Sequence, residues 1–113
     1  LRREELEGPL GRAGLETLAV IMYRGPVARA DIEYIRGVNV SSALRSLMIR
    51  GLIVRVDNPD DKRAFLYQTT PEVPAYFGVT RIEDVPEFAQ IRAELERIMS
   101  EKPAAVAEDV PTT

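Results

Sequence analysis

Apolar side chains recur every three or four positions along three successive stretches near the start of the chain. The first stretch, Gly11–Tyr23, has helical spacing and predicts a core helix. Its apolar positions are Leu15, Leu18, Ala19, Ile21 and Met22. After the break at Gly25-Pro26, a shorter helix is predicted at Arg29–Arg36, and a third at Val40–Arg50 follows Gly37. Three helices in quick succession are typical of helix-turn-helix folds.

The periodicity changes from helical to alternating after Gly51. Leu52–Asp57 and Ala64–Thr70 each alternate apolar and polar residues, as half-buried strands do. The polar segment between them, Asn58–Arg63, predicts the loop at the tip of a β-hairpin. Three helices followed by a hairpin give the winged-helix order. The fold class is therefore predicted to be α+β, a winged helix-turn-helix with additional C-terminal helices.

The segments around this core are predicted from weaker signals. Thr70 followed by Pro71 resembles the capped start of a short helix. Pro86–Met99 predicts a last amphipathic helix, because Phe88, Ile91, Leu95 and Ile98 are in register. We expect residues 1–10 to form a linker or frayed helix and residues 102–113 a disordered tail, leaving one winged-helix domain with a C-terminal helical extension at residues 11–101.

The 113 residues include no cysteine and no histidine. This composition excludes a disulfide framework, a Cys or His zinc site and a nucleophile activated by histidine, so neither an enzyme nor a bound cofactor is expected. The acidic residues of Asn58–Arg63 lack the central glycine of a calcium loop and are interpreted as a polar hairpin tip. The longest apolar run, Leu18–Met22, is far shorter than the roughly 20 residues that cross a bilayer, which favours a cytoplasmic protein.

Charge bears on whether the third helix reads DNA. The net charge is −3, and only the first 51 residues carry an excess of basic residues, with eight arginines and six acids. Direct DNA contacts would come from the third helix and the wing, through Ser42, Arg45, Arg55, Lys62 and Arg63. Three aspartates, Asp57, Asp60 and Asp61, balance the basic side chains of the wing. Because phosphate neutralisation dominates DNA affinity, any direct DNA binding is expected to be weak.

Several spaced motifs resemble the segregation and condensation protein B (ScpB) family, in particular its second, C-terminal winged-helix domain. The resemblance covers about residues 10–88. The matching positions are Leu15–Ile21, Tyr23, Pro26-Val27, Arg29–Ile32, Ile35–Val38, Gly51–Ile53, Tyr67, Thr69-Thr70 and Tyr76–Gly78. The chain departs from the family pattern at Gly25, usually glutamine, at Ala28, usually threonine, and in the wing, which is usually basic.

This resemblance implies a non-enzymatic, nucleoid-associated subunit of the bacterial SMC condensin-like complex. Such a subunit binds the kleisin ScpA and, through it, SMC, and acts in chromosome condensation and segregation. The family's first winged-helix domain, which mediates homodimerisation, has no counterpart in these residues, so the chain is expected to be a fragment or a shortened homologue. Homodimerisation therefore stays open.

Four aromatic residues are the predicted kleisin contacts: Tyr34, Tyr76, Phe77 and Phe88. Tyr34 is predicted to point outward, because Ile32 and Ile35 occupy the inward positions of the second helix. The alternative is a winged-helix transcription regulator that binds DNA directly, since the wing sequence Asn58–Arg63 also resembles that of MarR-type regulators.

Overall fold

Five α-helices and a three-stranded antiparallel sheet make up residues 10–101, the part of the chain that this computed structural model describes. The helices are α1 (Arg12–Arg24), α2 (Arg29–Arg36), α3 (Ser41–Ile49), α4 (Val73–Tyr76) and α5 (Pro86–Glu101). The strands are β1 (Val27–Ala28), β2 (Ile53–Asn58) and β3 (Asp61–Thr69), and a 3-10 turn spans Ile82–Asp84. This order confirms the predicted winged helix with C-terminal helices. The expectations for residues 1–9 and 102–113 lie outside the described residues.

Glycines end α2 and α3, as predicted. Gly37 and Gly51 have φ of 74° and 78°, the left-handed region in which glycine avoids the penalty of a side chain. The amide of Leu52 donates to the carbonyl oxygen of Leu47 at 3.0 Å, and the amide of Gly51 donates to that of Met48 at 3.0 Å. These two bonds form a Schellman ending, which turns the chain from α3 into the wing.

A carboxylate fixes the turn between α2 and α3. Glu33 Oε2 accepts hydrogen bonds from the backbone amide of Val40 at 3.1 Å and from Nε of Arg29 at 3.0 Å. Both bonds favour the ionised form, so they lower the pKa of Glu33, the Val40 amide most strongly. The side chain of Asn39 accepts from the amide of Ser41 at 2.9 Å. The turn is therefore held by side chains of α2 and of the turn itself.

The sheet has the strand order β1-β3-β2, and its first strand was not predicted. Val27 and Ala28 pair with Tyr67 and Leu66 of β3, although two residues are too few to show an alternating pattern. Ala28 also precedes α2 without a side-chain cap, as predicted. Pairing with β3 thus holds the start of α2 in place where the local sequence offers no capping group.

Two predicted boundaries need correction. The segment Asn58–Arg63 was expected to be a loop, but β2 extends to Asn58 and β3 begins at Asp61, with Asn58 paired to Asp61. Asn58 Oδ1 accepts from the amide of Asp60 at 2.9 Å, which tightens the turn. The helix expected from Thr70-Pro71 begins only at Val73; the Thr70 hydroxyl donates to the carbonyl oxygen of Gly51 at 2.7 Å and accepts from the amide of Glu72 at 3.2 Å.

The core is built around α1. This helix contacts α2, α3, α5 and β3, so Val20 is buried together with the predicted Leu18 and Ile21. Leu15 and Met22, predicted for the same apolar face, are only partly buried. The predicted apolar face of α5 is confirmed, since Phe88, Ile91 and Leu95 are buried. The C-terminal helix is thereby an integral part of the domain.

Candidate protein-binding groove

A groove with a volume of about 490 Å³ lies between the start of α1 and the length of α3. Its walls consist mostly of small residues: Gly11, Ala13 and Gly14 on one side, and Ser42, Ala43 and Ser46 on the other. Leu10, Arg36, Val38, Asn39 and Arg50 complete the lining. This volume falls within the roughly 300–1,000 Å³ typical of ligand-binding clefts. The wall is open at Gly11, where nothing lies within 4 Å of the position that a Cβ would take, whereas the side chain of Leu10 covers Gly14.

Arg36 stands at the end of the groove nearest α2 and is held by α1. Its side chain is 12% exposed, and Nη2 donates to Glu16 Oε1 at 2.6 Å. Nη1 donates to the hydroxyl of Thr17, a buried residue, at 3.2 Å. Glu16 also accepts from Arg12 at 2.7 Å, and Arg12 reaches Glu94 of α5 at 3.4 Å. A chain of ion pairs therefore joins α2, α1 and α5.

This network of ion pairs lowers the pKa of Glu16. Hydrogen bonds from Arg12 and Arg36 lower its pKa, and partial burial opposes them. The Thr17 hydroxyl can accept a hydrogen bond within this network because it donates its own hydrogen to the carbonyl oxygen of Ala13 at 2.9 Å. All polar groups of this buried corner are thus hydrogen-bonded. The guanidinium of Arg36 is fixed in place before any partner binds.

Arg50 stands at the C-terminal end of α3 and links the groove to the predicted aromatic contacts. Its Nε donates to the hydroxyl of Ser46 at 3.0 Å, and its Nη1 donates to the hydroxyl of Tyr76. The rings of Tyr76 and Phe77 meet edge to face with centroids 5.0 Å apart. Tyr76 is 38% exposed, whereas Phe77 packs against the core. Two of the four predicted contact residues therefore lie together beside the groove.

The other two predicted contacts lie elsewhere. Tyr34 points outward from α2 with 51% of its surface exposed, as the helix pattern predicted, but it does not line the groove. Phe88 is only 5% exposed and packs in the core between α5 and α1. The ring of Phe88 therefore offers a partner little accessible surface, and its role as a contact stays a prediction.

The residues proposed for DNA reading do not form one basic surface. Ser42 faces the groove and Arg45 points into solvent. On the wing, the guanidinium of Arg55 lies 4.3 Å from the ring centroid of Phe65, and Arg63 Nε is 3.9 Å from Asp61 Oδ1. Lys62 is exposed at the wing tip. The three wing cations are balanced in number by Asp57, Asp60 and Asp61, so the wing has no net positive charge with which to attract phosphates.

Two other classes of site are absent from residues 10–101. Within this range, no three His, Cys, Asp or Glu side chains cluster so that they could hold a metal ion. None of the helices in the same range is long and apolar enough to cross a membrane. We take the groove, with Tyr76 beside it, as the candidate site.

Comparison with known families identifies the chain. The family model described as "Segregation and condensation complex subunit ScpB" matches residues 1–88. This chain belongs to the ScpB family. The segregation and condensation protein B of Moorella thermoacetica is 43% identical over 97 residues, a match that covers 85% of this chain and 49% of the relative. The chain thus spans about half the length of that curated relative.

Solved structures agree with the family and with the fold. The crystal structure of ScpB from Mycobacterium tuberculosis has a TM-score of 0.57 and 45% identity, over 64% of this chain and 45% of that one. A probable transcriptional regulator from Pseudomonas aeruginosa has a TM-score of 0.58 over 87% of this chain and 70% of that one, but only 20% identity. The second similarity shows the winged-helix fold alone.

The ScpB motifs include one residue that lines the groove and one that lies beside it. Arg36 belongs to the matching segment Ile35–Val38, and Tyr76 to the matching segment Tyr76–Gly78. The small residues of the walls were not singled out in the sequence. A signal was present on α3, because Ser42 and Ser46 are four residues apart and therefore share one helix face.

Proposed function

We propose that this chain is a non-catalytic, kleisin-binding subunit of a bacterial SMC condensin-like complex. It binds ScpA and reaches SMC through ScpA, and the assembly acts in chromosome segregation and condensation in the cytoplasm, at the nucleoid. The observation that carries the proposal is the groove between α1 and α3 of an ScpB-family winged helix, together with the partly exposed ring of Tyr76, whose hydroxyl accepts from the lining residue Arg50. No catalytic or cofactor chemistry enters this function.

The geometry favours a protein partner over DNA for a physical reason. Protein interfaces are centred on aromatic and arginine side chains in well-packed pockets, and Tyr76 with Arg50 offers this pair at the edge of an apolar groove. DNA binding instead requires many cations that face phosphates. On the wing, Arg55 and Arg63 contact Phe65 and Asp61. Within residues 10–101, no observation therefore favours the DNA-binding alternative over a protein partner.

A calorimetric titration of the 113-residue chain with ScpA from the same genome tests the proposal. We expect a dissociation constant of about 1 μM or tighter, and a loss of about tenfold or more for Tyr76→Ala, because ring truncation removes an interface anchor. Phe65→Ala is the matched control. Phe65 is 40% exposed and also lies beside an arginine, but it sits on the wing away from the groove. Equal losses for both variants would contradict the assignment of this surface.

A further inference from the structure

The strand β2 lies at one edge of the sheet, in which the strand order is β1-β3-β2. Its exposed residues include Val54, with 42% of its surface accessible, Arg55 and Asp57. Many edge strands are protected by an internal lysine or proline, and β2 contains neither. Its register on β3 is regular up to Asp57. Among residues 10–101, β3 is the only strand that pairs with β2, so the opposite edge can accept a further strand.

The register of β2 on β3 determines which backbone groups face this edge. The amide of Thr70 donates to the carbonyl oxygen of Leu52 at 3.0 Å, directly before the ladder of β2 and β3 begins. Hydrogen-bonded and non-hydrogen-bonded pairs alternate along an antiparallel ladder, so every second residue from Leu52 onward bonds to β3. The residues between them point their amides and carbonyls toward the edge: Ile53, Arg55 and Asp57.

A second copy of β2 can bond to these groups if the two strands run antiparallel around a two-fold axis perpendicular to the sheet. The axis passes through one residue, which then lies opposite its own copy. An axis at Arg55 or at Asp57 would place like charges directly opposite each other, which is destabilising. An axis at Val54 pairs neither charge with an opposite one. An axis at Val56 places Arg55 of each copy opposite the partner's Asp57, so charge complementarity selects this register.

The side chains of β2 agree with an axis at Val56. Arg55 and Asp57 are two residues apart and therefore lie on the same face of the strand. Phe65 of β3 is opposite Asp57, and the guanidinium of Arg55 lies 4.3 Å from the Phe65 ring centroid, which keeps this cation on that face. Directly opposite residues have Cβ atoms about 4.5–5.5 Å apart, a distance that arginine and aspartate can bridge. On the other face, the half-buried Val56 would contact its own copy.

We propose that two copies of this chain associate through the edge of β2, antiparallel and centred on Val56, with Arg55 of each copy facing the partner's Asp57. This interface uses the wing and not the groove, so it goes beyond the proposed function and does not depend on it. The shared ladder spans only about five residues. The dimer is therefore expected to be weak, with a dissociation constant of about 10⁻⁴ M.

Charge reversal tests this register by sedimentation velocity of the full 113-residue chain over a range of concentrations. Arg55→Asp and Asp57→Arg each place two pairs of like charges in the homodimer, so each variant alone should self-associate about tenfold more weakly. An equimolar mixture restores both opposite-charge pairs in the heterodimer and should associate as wild type does. Arg97→Asp and Glu101→Arg are the matched controls. They make the same changes in net charge on α5, where both side chains are exposed, and should leave self-association unchanged.

Amide hydrogen exchange followed by NMR gives an independent measurement on the wild-type chain. As the protein concentration rises, the amides of Arg55 and Asp57 should exchange more slowly, because they gain acceptors across the edge. The amides of Val54 and Val56 already bond to β3 and should change little. The opposite pattern would overturn the register.

Weakening by both β2 variants alone, with recovery in their mixture, supports the inference, and thermal melting of each variant confirms its folding. Three results would overturn it: a wild-type chain that stays monomeric up to about 10⁻³ M, no recovery in the mixture of folded variants, or equal weakening by the α5 controls. Arg55→Asp that weakens ScpA binding without changing self-association would also overturn it, by assigning the edge to the kleisin. None of the self-association results bears on ScpA binding, which is measured separately.

Discussion

Replacing Arg36 by methionine removes the cation that joins α2 to α1 while keeping most of its aliphatic stem. In the wild-type chain, Arg36 donates to Glu16 Oε1 at 2.6 Å and to Thr17 Oγ1 at 3.2 Å, and its side chain is 12% exposed. The variant loses both bonds. Thr17 still donates to the carbonyl oxygen of Ala13, and Glu16 keeps its bond to Arg12, so neither group is left without a partner.

The size of the loss follows from these remaining partners. Hydrogen bonds to charged groups contribute about 1.5–3 kcal/mol each, and removing one member of a fully buried ion pair costs about 3–5 kcal/mol. Glu16 is partly exposed and regains some hydration. We therefore expect Arg36→Met to lower the free energy of unfolding by about 2 kcal/mol. For a domain of this length, that corresponds to a decrease in Tm of about 8–16 °C.

The assay is thermal unfolding followed by circular dichroism at several pH values. The pKa of Glu16 is lowered in the folded state, so its stabilising contribution is complete above the unfolded value of about 4.3 and disappears as the pH falls through the folded value. The Tm difference between wild type and Arg36→Met should therefore narrow below about pH 4. Arg97→Met is the control, because the Arg97–Glu101 pair on α5 is 61% exposed on both sides.

Three results would refute this reasoning. The first is an unchanged Tm at neutral pH, which would mean that the ion pair contributes no net stability. The second is a Tm difference that stays constant through the acid range, which would assign the loss to packing of the aliphatic stem. A decrease of similar size for Arg97→Met would also contradict the account, since exposed pairs contribute little.

Three further predictions follow from the fold and the site. Phe88→Ala should lower the free energy of unfolding in urea by about 3–5 kcal/mol, because Phe88 is a buried core residue; a loss below about 1 kcal/mol would contradict that placement. Glu33→Ala should accelerate hydrogen exchange of the Val40 amide by about tenfold or more, because this amide loses its acceptor, and an unchanged rate would show that another group holds the turn. Finally, gel shifts at physiological salt should give dissociation constants for duplex DNA no tighter than about 10⁻⁶ to 10⁻⁴ M, and nanomolar, sequence-selective binding would favour the transcription-regulator alternative.

Most of the fold could be predicted because its signals are local. The bounds of α2 were predicted without error, since an apolar repeat and Gly37 mark the helix and its end. The winged-helix order was likewise visible in the change from helical to alternating periodicity after Gly51. The strand β1 could not be predicted, because its two residues are defined by pairing with β3 rather than by their own pattern.

The candidate site was only partly accessible from sequence. Tyr76 and Phe77 were named from the resemblance, and their rings meet edge to face beside Arg50, which lines the groove. Phe88 is buried, but an aromatic residue on an amphipathic helix can serve either the core or a partner, and only the packing of α5 on α1 shows where it lies. The groove itself depends on how α1 and α3 approach each other, which no single stretch of sequence specifies.

Direct titration of the 113-residue chain with ScpA from the same genome tests the central claim most directly. We expect binding at about 1 μM or tighter, weakened by Tyr76→Ala but not by Phe65→Ala. A folded wild-type chain that gives no binding signal with ScpA would contradict it.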